Sequence, residues 1–171
     1  MEIRFLTAED AAEWSRLRLE ALQLEPAAFS SSVEEHQAQP IDLVKKRLNA
    51  NPHSFVVGAF EEGRLVGITG FHRETGPKTC HKGRVWGVYV TASNRGQGVS
   101  RRMMDALLKR AAAIAGLEQV LLSVTNTQTA ALALYRSLGF EPFGTEPRAL
   151  NINGKFIDEH YFVLHLREKP D

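Results

Sequence analysis

Val88-Tyr89-Val90-Thr91-Ala92-Ser93-Asn94-Arg95-Gly96-Gln97-Gly98-Val99-Ser100 runs from an apolar, β-branched stretch through a glycine turn into a helical pattern. The spacing predicts a strand over Arg84–Thr91. It predicts a helix after the turn, with Val99, Met103, Leu107, Ala111 and Ile114 on one face and Gly116 as its stop. Glycine permits positive φ and close approach of the backbone to a ligand. The first N–H groups of the following helix lack intrahelical partners, and the helix dipole adds to their pull on an anion. A pyrophosphate suits that geometry. The P-loop pattern places four residues between its glycines and follows them with Lys and then Ser or Thr, which this segment does not do. The dinucleotide pattern requires a third glycine where Arg101 stands, after a first strand and not one in mid-chain. Spacing alone leaves an ordinary glycine-containing turn open beside the anion site.

The pattern extends in both directions. Downstream, Val120–Thr125 reads as a strand. Thr127–Leu138 reads as a helix, with Leu132, Tyr135 and Leu138 at spacing three and Gly139 as its stop. Two last strands flank Asn153-Gly154, the strongest short hairpin signal. Upstream, Phe55–Phe60 and Leu65–Phe71 flank Glu61-Glu62-Gly63-Arg64 as a second hairpin, and Thr75–Lys82 is a turn. Met1–Leu6 alternates as a first strand. Thr7 with Asp10 resembles a capping box that opens a helix, with Trp14, Leu17, Ala21 and Leu24 inward and Pro26 ending it. Ala27–Ser32 reads as a loop, and Pro40 opens a helix with Leu43, Val44 and Leu48 inward. The sum is one α/β (α+β) domain over residues 1–171 with a mixed sheet and no linker.

Composition narrows the function. The chain is 43% hydrophobic and 24% charged, which is globular and not disordered. No apolar run approaches about 18 residues, and Met1-Glu2-Ile3-Arg4 lacks the basic and apolar regions of a signal peptide. The single cysteine, Cys80, excludes an intrachain disulfide and a multi-cysteine zinc site, and a reducing cytoplasm is the expected compartment. The formal charge of +1 gives no bulk reason for nucleic acid or an anionic membrane as partner. His160 and His165, five positions apart, fall on opposite faces of a strand, so no metal is implied. No Gly-x-Ser-x-Gly elbow exists. Cys80 has His81 beside it, but neighbours in an extended segment point to opposite faces, which suits an inert thiol.

Val88-Tyr89-Val90 followed by Arg95-Gly96-Gln97-Gly98-Val99-Ser100 resembles the acetyl-CoA-binding motif of the GNAT N-acetyltransferase superfamily, with Ser100 in place of the last small residue. A second block, Asn126, Ala130, Leu134-Tyr135 and Leu138-Gly139-Phe140, resembles the strand–helix–strand unit that follows in that family. The resemblance implies a mostly antiparallel central sheet of six to seven strands flanked by about four helices. It implies acetyl transfer from acetyl-CoA to a primary amine by direct attack, without a covalent acyl-enzyme. A small-molecule amine is the expected acceptor. A protein N-terminus or lysine, or an acetyl-CoA sensor without turnover, are the alternatives. Dimers are common in the family, which makes a homodimer possible.

The resemblance also assigns residues. Val88 and Val90 match the bulged strand whose backbone binds the pantetheine arm. Arg95, Gly96, Gln97, Gly98, Val99, Ser100 and Arg101 match the pyrophosphate site. Tyr135 matches the general acid for the leaving thiolate; spacing alone makes it a core residue. Asn126 matches a contact to the CoA arm; its local reading is a helix N-cap. The strand carries Trp86 and no carboxylate before the bulge, where the family often has glutamate. The base is therefore sought at His72 and Glu74, with His81, Glu34, Glu35, Asp158, Glu159 and His160 as further candidates. The acceptor site of the family draws on the early loop region and the last hairpin. Phe29, Ser31, Glu34, Trp86 and Tyr161 are the candidates here, with Phe29–His36 forming an acidic lip for a cationic amine or a solvated loop.

Overall fold

The computed structural model describes residues 1–49 and 51–166. In chain order the elements are β1 (Glu2–Phe5), α1 (Ala11–Leu24), α2 (Val33–Gln37), α3 (Ile41–Leu48), β2 (Ser54–Glu61), β3 (Arg64–Arg73), β4 (Lys82–Val90), α4 (Val99–Ala112), β5 (Gln119–Thr125), α5 (Thr129–Ser137), β6 (Glu141–Ile152) and β7 (Lys155–His165). The strands form one seven-stranded sheet in the order β1-β2-β3-β4-β5-β7-β6. Every neighbouring pair is antiparallel except β4 and β5. No helix among the described residues is long and apolar enough to cross a membrane.

Period-two alternation divides β2 between two cores. Phe55, Val57 and Ala59 face α4, where Met103, Met104, Leu107 and Ala111 are buried with Val120, Leu122, Tyr135 and Phe162. Val56 and Phe60 face the opposite layer, with Trp14, Leu17 and Ala21 of α1 and Val44 and Leu48 of α3. Helices cover both faces, as a sheet with two apolar surfaces requires.

Thr7 and Asp10 do form the capping box, but it closes a single 3₁₀ turn over Ala8–Asp10 before α1 begins. Asp10 is held as well by Arg4 in a fork of 2.7 and 2.8 Å, which lowers its carboxyl pKa. Leu24 and Leu43, both expected inward, are 61% and 52% exposed. Leu24 ends α1 beyond Ala21 and Leu22, the last positions the sheet covers. The short α3 packs through the single Val44–Leu48 stripe, and Leu43 lies a third of a turn outside it.

The region expected as a loop or lip contains a fifth helix, α2. Ser32 Oγ accepts the Glu35 N–H at 3.2 Å, and the Glu35 carboxylate accepts the Ser32 N–H at 2.7 Å. A Ser-x-x-Glu box satisfies two otherwise free donors and starts the turn. His36 holds it against α1, with its ring edge-on to Trp14 at 5.7 Å and Nε2 2.9 Å from Ser15 O.

Gly70 gives a direct test of how tightly β3 and β4 pack. A Cβ there would stand 2.2 Å from the Trp86 indole. Gly70→Ala is therefore expected to cost about 1–3 kcal/mol through overpacking. Denaturant unfolding followed by tryptophan fluorescence reads both the loss and the displaced indole; an unchanged midpoint would mean that the indole swings aside freely.

Candidate active site

β4 and β5 pair only through Lys82–Gln119, Gly83–Val120 and Arg84–Leu121. Beyond Arg84 the two strands part, while β5 keeps its ladder to β7 as far as Thr125–Glu159. On its other side β4 pairs Tyr89 with Ile68 and Trp86 with Gly70. Thr69 thus stands opposite both Gly87 and Val88, which makes a β-bulge, and Gly87 takes φ +66°. A side chain at that φ would be strained, which is why glycine sits there. The inner edge of β4 beyond Arg84 consequently has no strand partner.

Two connected cavities occupy the gap. One, of about 70 Å³, lies inside the opening between Val85–Val88 and Leu122–Val124, with Phe29, Trp86 and Tyr135 on its walls. The other, of about 310 Å³, continues over Val88, Val90 and the glycine turn to Ser100 and Arg101, with Ala131, Leu134 and Tyr135 from α5 opposite. In the turn, Gly96 and Gly98 both adopt φ +74°, and a Cβ on either would meet nothing within 4 Å. Gly98 caps α4, and the first bond back to it comes from the Arg102 N–H at 3.1 Å. The amides of Val99, Ser100 and Arg101 precede that bond and are free for an anion.

Side chains brace this turn. Arg95 donates through Nε to Val90 O at 3.0 Å and through Nη1 to Glu25 at 2.8 Å. Asn94, buried, donates to Glu61 at 2.6 Å. Gln97 folds back onto Ser93 O at 3.1 Å, and its side chain stays out of the cavity wall. Arg101 lines the cavity and reaches Ser137 Oγ at 2.9 Å.

Tyr135 is 5% exposed and lines both cavities. Its ring lies edge-on to Phe140, and no described residue bonds its hydroxyl. Burial pushes the phenol pKa well up, so the group stays protonated over the whole working range. Asn126 is exposed and absent from the cavity walls, and α5 takes Gln128 as its N-cap. Gln128 is the residue that lines the gap instead.

On the far side of Trp86 lies a third cavity, of about 520 Å³, between α1, α2, α3 and the ends of β2 and β3. It is walled by Trp14, Arg18, Ser31, Glu35, His36, Gln39, Arg47, Ser54, His72 and Trp86. Trp86 and His72 from the sequence reading therefore meet here, with Ser31. Burial lowers the His72 pKa despite the nearby Glu74 carboxylate, so the imidazole is neutral at pH 7. Glu74 lies outside this wall. It accepts a 2.7 Å hydrogen bond from Arg84, which lowers its pKa. Glu34 is exposed and lines a separate groove with Phe29, Ser31 and the Ala149–Asn153 tip of the β6–β7 hairpin. Tyr161 lines none of these cavities; its hydroxyl donates to Glu146, which raises the phenol pKa to about 12, and its ring lies against Phe143. Among the described residues no three His, Cys, Asp or Glu side chains gather as a metal site.

Arg18 and Arg47 escaped the sequence reading, which reached His36 only as the end of the Phe29–His36 lip. The signal for Arg18 was present: it lies four residues after Trp14 and four before Leu22, a cation inside the apolar stripe of α1.

Comparison with known proteins gives a consistent result. The acetyltransferase (GNAT) family pattern matches residues 14–140. The chain is 37% identical over 105 residues to the N-alpha-acetyltransferase RimI of Mycobacterium tuberculosis, covering 61% of this chain and 63% of that one. It is 30% identical over 146 residues to a mycothiol acetyltransferase of Paenarthrobacter aurescens, covering 83% of this chain and 42% of that one. The chain thus spans less than two thirds of the length of these curated relatives. YncA of Salmonella typhimurium, solved with its cofactor acetyl-CoA, shares the fold with a TM-score of 0.84 at 20% identity, over all of this chain and 96% of that one.

The glycine turn is testable without any ligand. Gly98→Ala meets no atom, so its effect is backbone strain alone, about 1–2 kcal/mol of lost stability. Gly98→Asn should lose less, because asparagine tolerates the left-handed region. Equal stability of all three proteins in urea would show that the turn relaxes.

Proposed function

The chain belongs to the acetyltransferase (GNAT) family, whose members use acetyl-CoA, and from that premise we propose that this domain transfers an acetyl group from acetyl-CoA to a primary amine of a small molecule. The observation that carries the reading is the opened β4–β5 edge. It joins a cavity rich in free amides on one side to a walled cavity behind Trp86 on the other.

The residues present fit acetyl-CoA. The α4 N-terminus and the Gly96–Gly98 turn offer a backbone cradle for a pyrophosphate, with Arg101 at its rim. Val88 in the bulge and the N–H of Val90, a residue whose carbonyl is taken by Arg95, offer strand backbone for the pantetheine arm, and the bulge amides polarise the thioester carbonyl. Gln128 takes the contact first sought at Asn126. Acetyl-CoA supplies the activated acyl group: the amine lone pair forms the C–N bond as the C–S bond breaks. His72, neutral and facing the acceptor cavity, takes the proton the amine loses, directly or through water. Tyr135 gives its proton to the departing sulfur and regains one from solvent. Cys80 lines none of the cavities, which favours direct attack over an acyl-enzyme.

An acceptor cavity of about 520 Å³ with two tryptophans on its wall favours a small molecule, as does the mycothiol acetyltransferase relative. The RimI relative makes a peptide N-terminus the competing acceptor. The test is release of CoA thiol from acetyl-CoA over a panel of amino acids, polyamines, aminoglycosides and short peptides. Turnover confined to the peptides would overturn the small-molecule assignment. No release, with a clear acetyl-CoA melt shift, would mark a binding module.

Two outcomes are expected within that assay. Tyr135→Phe lowers kcat about tenfold to hundredfold, the low end for an acid because a thiolate leaves readily, while the Kd for acetyl-CoA stays within about twofold. Wild-type activity persists below pH 6.5 and falls only as His72 protonates at its lowered pKa. His72→Gln is slower and loses that acid limb; an unchanged limb would remove His72 as the base.

A further inference from the structure

Arg18 is a charge in an unfavourable place. It is 9% exposed, and its Nη1 is buried with no hydrogen-bond partner among the described residues. Its guanidinium lies 4.2 Å over the Phe29 ring, and no ion pair reaches it. Desolvation, with Arg47 as a second cause, pulls its pKa down to about 10, so it is still charged at pH 7. A buried, unpaired cation destabilises a fold, and an apolar side chain of similar length would serve α1 better.

The cation belongs to the wall of the acceptor cavity. Arg47 lies on the same wall, exposed to solvent, with its guanidinium 5.6 and 5.8 Å from the Trp14 and Trp86 ring centres. Among the described residues Glu35 is the one carboxylate lining that cavity, and one of its oxygens accepts the Ser32 N–H in the capping box. Two guanidinium groups thus face a single carboxylate among the described residues. Of the acidic lip expected to attract a cation, Glu35 lines this cavity, while Glu34 faces the groove beside the hairpin. Arg18 also lies next to the reaction opening: its Nη1 stands 3.7 Å from where a Cβ on Gly87 would be.

We propose that the acceptor is an amine that also carries a carboxylate, that Arg18 binds this carboxylate beside the bulge, and that Arg47 is its second cation. The planar guanidinium matches a carboxylate in a two-bond fork, and ligand binding supplies the partner that Nη1 lacks. Trp14 and Trp86 give the rest of such a molecule an apolar wall. The amine half of the assignment rests on the acetyl-transfer reading; the anion half rests on Arg18 alone.

The experiment uses the full chain saturated with CoA. The probes are the twenty L-amino acids, β-alanine and 4-aminobutyrate, each matched with its own amide, with O-phosphoethanolamine added. Binding is read by calorimetry and thermal melt, and acetylation of the same probes by thiol release. The expected result is at least one carboxylate that binds tenfold or more tightly than its amide, with the difference collapsing to within twofold in Arg18→Met. In turnover the loss appears in KM for the carboxylate and leaves its amide unchanged. Ligand-free Arg18→Met should melt no lower than wild type, which separates lost binding from lost folding, and Arg18→Lys should keep part of the preference. Equal binding of acids and amides would overturn the proposal. So would the absence of any bound carboxylate, binding of the phosphate probe alone, or an equal loss for acids and amides in Arg18→Met. Acetyl-CoA's own melt shift reports separately: its absence beside a bound carboxylate removes the acetyl-transfer reading and leaves the anion site.

Discussion

The parting of β4 from β5 is the constraint on which the rest of this structure depends. A parallel pair buried in a sheet normally continues its ladder, because unpaired backbone groups inside a protein are expensive. Here the ladder ends at Arg84–Leu121 although both strands go on. Each strand is committed elsewhere: β4 to β3 across the Gly87–Val88 bulge, β5 to β7 as far as Thr125. The gap is then kept open by side chains from three directions. Phe29 enters from the segment after α1, Tyr135 from α5, and Trp86 from β4 itself. Thr125 Oγ1 donates to Ala27 O at 2.8 Å and ties that segment to the β5 side of the opening. What remains is a slot with strand backbone along one edge and aromatic rings at its mouth.

An aromatic and guanidinium stack connects the slot to the helical layer. Trp86 lies edge-on to Trp14, Trp14 to His36, and Phe29 to Tyr89, while Arg18 covers Phe29 and Arg47 lies near both indoles. Tyr89 is fixed in turn by its hydroxyl, which donates to Glu20 of α1 at 3.1 Å. Edge-to-face pairs and cation–π contacts each contribute on the order of 0.5–1.5 kcal/mol. Their larger consequence is geometric. The wall of the acceptor cavity and the mouth of the slot share side chains, so a change at Gly70 or Trp86 is felt on both sides.

The parts legible in the sequence were the local ones. The glycine turn, the two hairpins and most helix faces follow from periodicity and from residues such as Gly98 and Asn153-Gly154 whose conformations few others adopt. The Ser32–Glu35 box was equally local and announces α2, but a run of hydroxyls and acids also describes a loop. The acceptor cavity was legible only in pieces. His72, Trp86 and Ser31 were named, yet nothing in their spacing shows that Arg18 and Arg47 face them from α1 and α3. That meeting is tertiary. The same limit explains Gln128 in place of Asn126, since a two-residue difference at the start of α5 decides which amide points into the gap. Tyr161 came from the last hairpin on the family resemblance; its distance from the slot depends on the order β5-β7-β6 and on where its side chain points, which the resemblance does not contain.

Electrostatics then divides the site into three zones. The α4 N-terminus and Arg101 make one end positive, and Arg18 and Arg47 make the other end positive. Between them the slot is lined by Val88, Leu122, Val124 and Tyr135. On the proposed reading, two ligands with anionic far ends are held with those ends apart, and their reacting groups meet in the slot between them. Desolvation in that region acts in opposite directions on the two proton carriers: it raises the Tyr135 phenol and lowers the His72 imidazole. Both shifts favour the neutral form. A neutral phenol is a proton donor and a neutral imidazole a proton acceptor, so one physical cause sets both protonation states, while it weakens each group as acid or base. In the same reading, the carboxylate an entering amine meets is Glu35 on the acceptor-cavity wall, since Glu74 is bound by Arg84 and Glu34 faces another groove. The role of the missing strand glutamate then falls, on the proposed reading, to His72 on the far side of Trp86, where burial keeps the imidazole neutral without a paired carboxylate.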